Sequence, residues 1–270
     1  MSRRRRRVSL SASADAIAPA RSPPSTTVPY RPSAPTRTGP RIDAIDTLRG
    51  SAICLMVVYH FAYDLRAYGV TRSDFGHDPF WLALRAFIVT SFMALVGVSL
   101  VLAERAHATR RHFWRRIAVI TACALVVSLA SSIAFPQTFI YFGILHAIAV
   151  SSVLVAPLVR RPRAALAIGL AVAAAGLVWS NPWFDPRPLS WIGFVATKPP
   201  TEDYVPLAPW TGVVAIGIAV GHWLARHPLH ALARLGRAPR WLQWLGRHSL
   251  LVYMIHQPLL LAVLWLVVRR

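Results

Sequence analysis

An arginine, a histidine and an aspartate recur on one face of the first long apolar stretch. Arg49 and His60 stand eleven residues apart, which at about 100° per residue falls within about 20° of three full turns of α-helix. His60 and Asp64 form an i,i+4 pair on that same face. Arg49, Ile53, Met56, His60 and Asp64 therefore make one stripe, with His60 about 16 Å beyond Arg49 along the axis. An imidazole that titrates near neutral pH suits general-base or nucleophilic work, and a nearby carboxylate can orient its ring and stabilise the imidazolium. A guanidinium at the mouth of a cavity suits a phosphorylated donor, because its planar fork pairs bidentately with phosphate. Within hydrocarbon each ionisable group costs at least about 2.5–3.5 kcal/mol, so such a stripe is expected to face a cavity or a partner. The plainer alternative is that His60 and Asp64 hydrogen-bond to each other and only lock two helices together.

The elements that must carry this stripe follow from composition. The chain has 270 residues, 55% hydrophobic and only 15% charged, against roughly 25% charged in soluble domains. The apolar residues gather in runs at 47–69, 82–103, 117–135, 141–159, 164–181, 209–226 and 248–268, close to the ~20 residues needed to cross a hydrocarbon core. The expected fold is all-α, a polytopic transmembrane helix bundle of about seven spans. Residues 1–40 are rich in Ser, Pro and Arg and are expected to form a disordered basic cytoplasmic tail; they lack the apolar core of a cleavable signal peptide. Residues 41–270 form the membrane domain.

The net charge of +20 invites a nucleic-acid partner, but its distribution argues against one. Arginines cluster within residues 3–7, 105–116, 160–163 and 226–247, in short segments between apolar runs. Asp74, Asp78, Asp185, Glu202 and Asp203 occupy the alternate loops. This is the positive-inside pattern and predicts an N-in/C-out protein of a bacterial inner (cytoplasmic) membrane, with membrane lipids as partners. The terminal Arg269-Arg270 pair is the exception.

Other ionisable residues are weighed against structural roles. Arg85, one turn into the second span, could neutralise Asp64, contact the acceptor, or snorkel to the interface. His146 and His256 lie within the fourth and seventh spans and could share a polar pocket with His60 or serve as packing residues. No H-x-x-x-H or C-x-x-C spacing supports a metal, and none is expected; Cys54 and Cys123 read as packing residues. Asp203 could act as a lid or acceptor residue, or mark the start of the span at Pro209. Gly217 and Gly221 form G-x-x-x-G, and the fifth span is rich in Ala and Gly. Such residues permit close helix packing, within the bundle or between the protomers of a homodimer.

Several stretches together resemble a known family. Asp46-Thr47-Leu48-Arg49-Gly50, followed by Tyr59-His60-Phe61, is similar to the start of the transmembrane acyltransferase superfamily. More narrowly it resembles the bacterial relatives of the heparan-alpha-glucosaminide N-acetyltransferase catalytic domain. The resemblance continues through Phe92 to Leu100, Phe142 to His146, Asp203 to Trp210, Trp244 to Leu250 and Ile255 to Pro258, and covers about residues 41–264. It implies that residues 41–270 are an acyltransferase-like domain. An acyl group, acetyl first, would pass from cytoplasmic acetyl-CoA to an extracytoplasmic acceptor such as a glycan amine or hydroxyl in the envelope. In the wider O-acyltransferase branch the histidine of the Arg-x10-His arrangement is the catalytic candidate, which here is His60. The family's lysosomal member differs, with asparagine at that position and its active histidine just before the second span. The nearest counterpart of that histidine is His77, which stands second to His60.

The candidate site therefore comprises His60, Asp64 and His77 for catalysis. Arg49, Asp46, Arg85, His146, Asp203 and His256 are candidates for substrate or donor binding. The competing function is a proton-coupled transporter in which His60, Asp64 and His146 relay protons, although no internal repeat of the kind common in transporters is evident. His60→Ala is expected to lose acyl transfer while still inserting and folding, as measured by acetylated product. Full transfer by that variant would move the role to His77 or end the acyltransferase reading.

Overall fold

Helix Leu207–Arg226 is the element against which much of the bundle is laid, and glycine makes the approach close. In the computed structural model, which describes residues 40–227, 235 and 237–268, the helices are α1 (Pro40–Ala67), α2 (Pro79–Arg105), α3 (Arg110–Ala134), α4 (Ile144–Val155), α5 (Pro162–Val178), α6 (Arg187–Ser190), α7 (Leu207–Arg226), α8 (Arg240–Arg247) and α9 (Ser249–Val268). No strand occurs among the described residues. The described residues lie in one compact unit, Thr38–Arg270. The basic tail expected over residues 1–40 lies, but for Pro40, outside the described residues, as do part of the 226–247 segment and the Arg269-Arg270 pair.

α7 packs on α2, α4 and α5. A Cβ on Gly97 of α2 would meet the Val214 carbonyl, one on Gly217 would meet the Ala94 carbonyl, and Gly221 lies against Val98 and Val101. Around the helix, Gly212 faces Ala173 and Gly169 of α5. The small-residue patterns at Gly217–Gly221 and along the fifth span thus bring three helices into backbone contact within the bundle. Met93, Val101, Val214 and Ile218 fill the core between them.

Each of the seven apolar runs corresponds to a helix, α1 to α5, α7 and α9. Among the described residues, Pro79–Arg105, Arg110–Ala134, Leu207–Arg226 and Ser249–Val267 are long and apolar enough to cross a membrane, while Ile144–Leu158 and Pro162–Val178 are shorter apolar helices. α4 gives way to a 3-10 turn at Ala156–Leu158, because Pro157 has no N–H to continue the helical ladder. α1 begins seven residues before the expected span, at Pro40. Its added turns carry Asp43 and Asp46, which bond Arg247 of α8 at 2.8 and 3.1 Å. The same crossing needs Gly50 and Gly246, where a Cβ would strike the Leu242 and Asp46 carbonyls.

The connections gather at two ends of the bundle. At one end Arg160 pairs with Glu104 at 2.6 Å, and His222 bonds the Val159 carbonyl at 2.7 Å. At the other, Glu202 accepts from Thr138 and Tyr63 at 2.6 and 3.3 Å, and Arg187 donates to the Gln137 carbonyl. The first end gathers the basic loops and the second the acidic ones.

Gly217→Val should be destabilised by at least about 1–3 kcal/mol, because the helices must part to admit the side chain. Gly76→Ala, whose Cβ would touch only the Asp74 carboxylate at 3.4 Å, should be neutral. Thermal unfolding of the two detergent-solubilised variants checks the contrast.

Candidate functional site

α1 keeps its stripe on one face, and the two halves of that face meet different partners. Ile53 and Met56 are buried in the middle, packed with Ile88 of α2 and with Val252 and Tyr253 of α9. Beyond them His60 meets His256 edge-on, with ring centroids 5.0 Å apart. Asp64, only 3% exposed, accepts two hydrogen bonds from the Gln257 amide at 2.9 and 3.1 Å. Sequence spacing suggested that Asp64 would orient His60, but in the structure its carboxylate is taken by Gln257. Among the described residues the His60 ring makes ring contacts with Tyr59 and His256 and no hydrogen bond. His256 and Gln257 sit where Pro258 interrupts the helical ladder of α9.

At the basic end, Arg49 donates to Asp46 at 3.1 Å, to the Gly246 carbonyl at 3.4 Å and to Ser99 at 2.8 Å. Asp46 holds Arg49 through one oxygen and Arg247 through the other. Its position is that of a counterion which fixes the guanidinium in place. Arg49 also lines a cavity of about 490 Å³ that His112, Arg115 and Arg116 of α3 border as well. Apolar side chains, Phe92, Ile120 and Leu145 among them, make its walls, and Tyr253 lines it too. The Tyr253 ring lies 5.5 Å from that of His256. One cavity thus joins a cluster of cationic side chains to the neighbourhood of the histidine pair.

The remaining candidates lie toward the acidic end. His77 stands apart from the stripe. Its ring is 90% exposed and its Nδ1 is 3.0 Å from the Asp74 carboxylate. The Gly76 N–H and the His77 side chain hold that carboxyl below the usual aspartate range. The loop is pinned by Phe75, which packs on Tyr59, Tyr63 and Trp81. Arg85 donates to the Tyr204 carbonyl at 2.9 Å, while Asp64 is met by Gln257 instead. Asp203 accepts the Ile144 N–H at 2.8 Å, a carboxyl at the N-terminus of α4. Burial raises its carboxyl, opposed by that N–H and by Arg85.

His146 completes the same cap. Its Nδ1 accepts the Gly143 N–H at 3.2 Å, which puts the ring proton on Nε2, 3.3 Å from the Ser128 hydroxyl. With both nitrogens engaged, His146 is built into the start of α4, apart from the His60–His256 pair. Among the described residues no cluster of three or more His, Cys, Asp or Glu could hold a metal.

The sequence reading assigned no role to Gln257, Ser99, Tyr253 or the His112, Arg115 and Arg116 group. His112, Arg115 and Arg116 are spaced i, i+3, i+4 and so share a helical face, a signal hidden within a run counted only as loop charge. Gln257 is adjacent to a candidate histidine, but its partner lies 193 residues away, beyond any local pattern.

No curated protein and no solved structure matches the chain. The family model described as "Heparan-alpha-glucosaminide N-acetyltransferase, catalytic" matches residues 41–258, a region that runs from the first turn of α1 to Pro258 of α9 and holds both histidines, the cavity and its basic rim. The chain, a multi-pass membrane protein of the acetyltransferase type, belongs to the heparan-alpha-glucosaminide N-acetyltransferase catalytic family.

Proposed function

We propose that this protein transfers an acyl group, acetyl first, from acyl-CoA to an amine or hydroxyl acceptor across the membrane. The observation that carries this reading is the single cavity lined by Arg49, His112, Arg115 and Arg116 and also by Tyr253. A coenzyme A donor has phosphates at one end and a thioester on a slender arm at the other. The guanidinium groups suit the phosphates, and the apolar walls suit the arm. Arg49 is already oriented by Asp46 and Ser99, so little rotamer freedom is lost when it binds an anion.

Transfer begins when the acceptor heteroatom attacks the thioester carbonyl. A new carbonyl–acceptor bond forms, the carbon–sulfur bond breaks, and the acceptor proton ends on the coenzyme A sulfur. An imidazole can mediate that proton movement, and His60 is the first candidate for the reacting ring. Asp64, one turn further along the same face, is held by Gln257. His77, paired with Asp74, is the second candidate and lies on the acceptor side. The positive-inside distribution supports a cytoplasmic basic end, and so a cytoplasmic donor, with the acceptor on the opposite face of a bacterial inner membrane.

The double variant Arg115→Ala/Arg116→Ala tests the donor site. Loss of hydrogen bonds to a charged group, each about 1.5–3 kcal/mol, should raise KM for acetyl-CoA at least about tenfold and leave kcat nearly unchanged. Purified protein supplied with acetyl-CoA and glucosamine gives both constants from coenzyme A release. An unchanged KM would remove the cavity from the donor path.

A further inference from the structure

A buried imidazole nitrogen and a buried amide oxygen, on consecutive residues of α9, have no hydrogen-bond partner. They are Nε2 of His256 and Oε1 of Gln257. His256 is buried, with 7% of its surface exposed. Its Nδ1 lies 2.6 Å from the Tyr253 carbonyl, and a carbonyl only accepts, so Nδ1 carries the ring proton. Nε2 of the neutral ring is then a bare lone pair. Gln257 is fixed by the same logic. Its NH2 faces the Asp64 carboxylate, which leaves Oε1 as a second acceptor without a donor.

A buried acceptor without a donor is costly, and two on consecutive residues call for a ligand that brings donors. Both belong to residues that meet the α1 stripe, His256 at His60 and Gln257 at Asp64. The cavity that holds Arg49 also reaches Tyr253, whose ring adjoins His256.

Resting on the acyl-transfer reading, we propose that His256 Nε2, in place of the facing His60, is the base that takes the acceptor's proton, with Gln257 Oε1 receiving a second hydrogen of the same acceptor group. The acceptor nitrogen or oxygen forms its bond to the acyl carbon as its proton moves to Nε2. The carbon–sulfur bond breaks, and the proton then passes to the coenzyme A thiolate. The Nδ1–H bond to the Tyr253 carbonyl keeps the ring in the productive tautomer throughout, the part a carboxylate plays in other imidazole bases. A primary amine supplies two N–H groups and satisfies both acceptors, whereas a hydroxyl satisfies one. The pair therefore selects amines over alcohols.

The test compares the unchanged protein with His256→Ala and the bulkier His256→Gln, using acetyl-CoA with glucosamine as the amine probe and N-acetylglucosamine as the hydroxyl probe. Both variants should lose about 100-fold or more in kcat and keep KM for acetyl-CoA within about twofold. Added imidazole should restore at least about tenfold of the loss in His256→Ala, which a structural role would not allow. Gln257→Leu should lower the preference for glucosamine over N-acetylglucosamine. Either His256 variant keeping more than about half the kcat, or a folded His256→Ala that binds acetyl-CoA but gains nothing from imidazole, would overturn the proposal alone. An unchanged protein that acetylates neither probe would overturn the acyl-transfer reading and this proposal with it.

Discussion

Charge placed inside an apolar bundle must be answered by the protein, because lipid offers it no partner. Most of the described interior obeys this constraint. Asp46 answers both Arg49 and Arg247, Gln257 answers Asp64, and Asp203 with His146 answers the open N–H groups of α4. Each pairing also ties two segments together: α1 to α8, α1 to α9, and the 191–206 connection to α4. Polar satisfaction and tertiary arrangement are here the same set of contacts. The two acceptors left without donors, at His256 and Gln257, stand out against that background.

Close backbone approach is the second requirement. Gly97, Gly212 and Gly217 let α7 lie directly on α2 and α5, with no hydrophobic effect available between helices in lipid to compensate for looser packing. Against the α2–α7–α5 layer, α1, α3, α4 and α9 enclose the cavity, with Phe92 and Ser99 of α2 in its wall. Gly50 and Gly246 do the same at the basic end, where α8 is drawn against α1 and delivers Arg247 to Asp46. A short helix outside the apolar runs thereby helps to fix Arg49, through the Asp46 that both arginines share.

Much of this was legible in the sequence, and what was missed follows a physical line. Helical spacing set Arg49, Ile53, Met56, His60 and Asp64 on one face, and the structure keeps them there. Hydropathy marked seven helical segments, and the small residues of α5 and α7 marked their packing. Spacing could not show which group each charge would meet, since partners such as Gln257 for Asp64 come from distant parts of the chain. It also could not separate His146, whose two nitrogens serve a helix start, from His256, whose Nε2 is unsatisfied. All the mid-span histidines look alike in sequence; hydrogen-bond counting separates them. The shorter α4 was foreshadowed by Pro157, and the early start of α1 by Asp43 and Asp46, whose role depends on Arg247.

The proposed transfer needs donor and acceptor to meet along the cavity that runs from the guanidinium cluster past Phe92 to Tyr253, beside the facing histidines. Electron cryomicroscopy of the protein with bound coenzyme A would test that path most directly. Phosphate density at Arg49, Arg115 and Arg116, with the pantetheine arm running toward Tyr253, is the expected result. Coenzyme A bound elsewhere on the protein, with this cavity still unoccupied at saturating concentration, would contradict it.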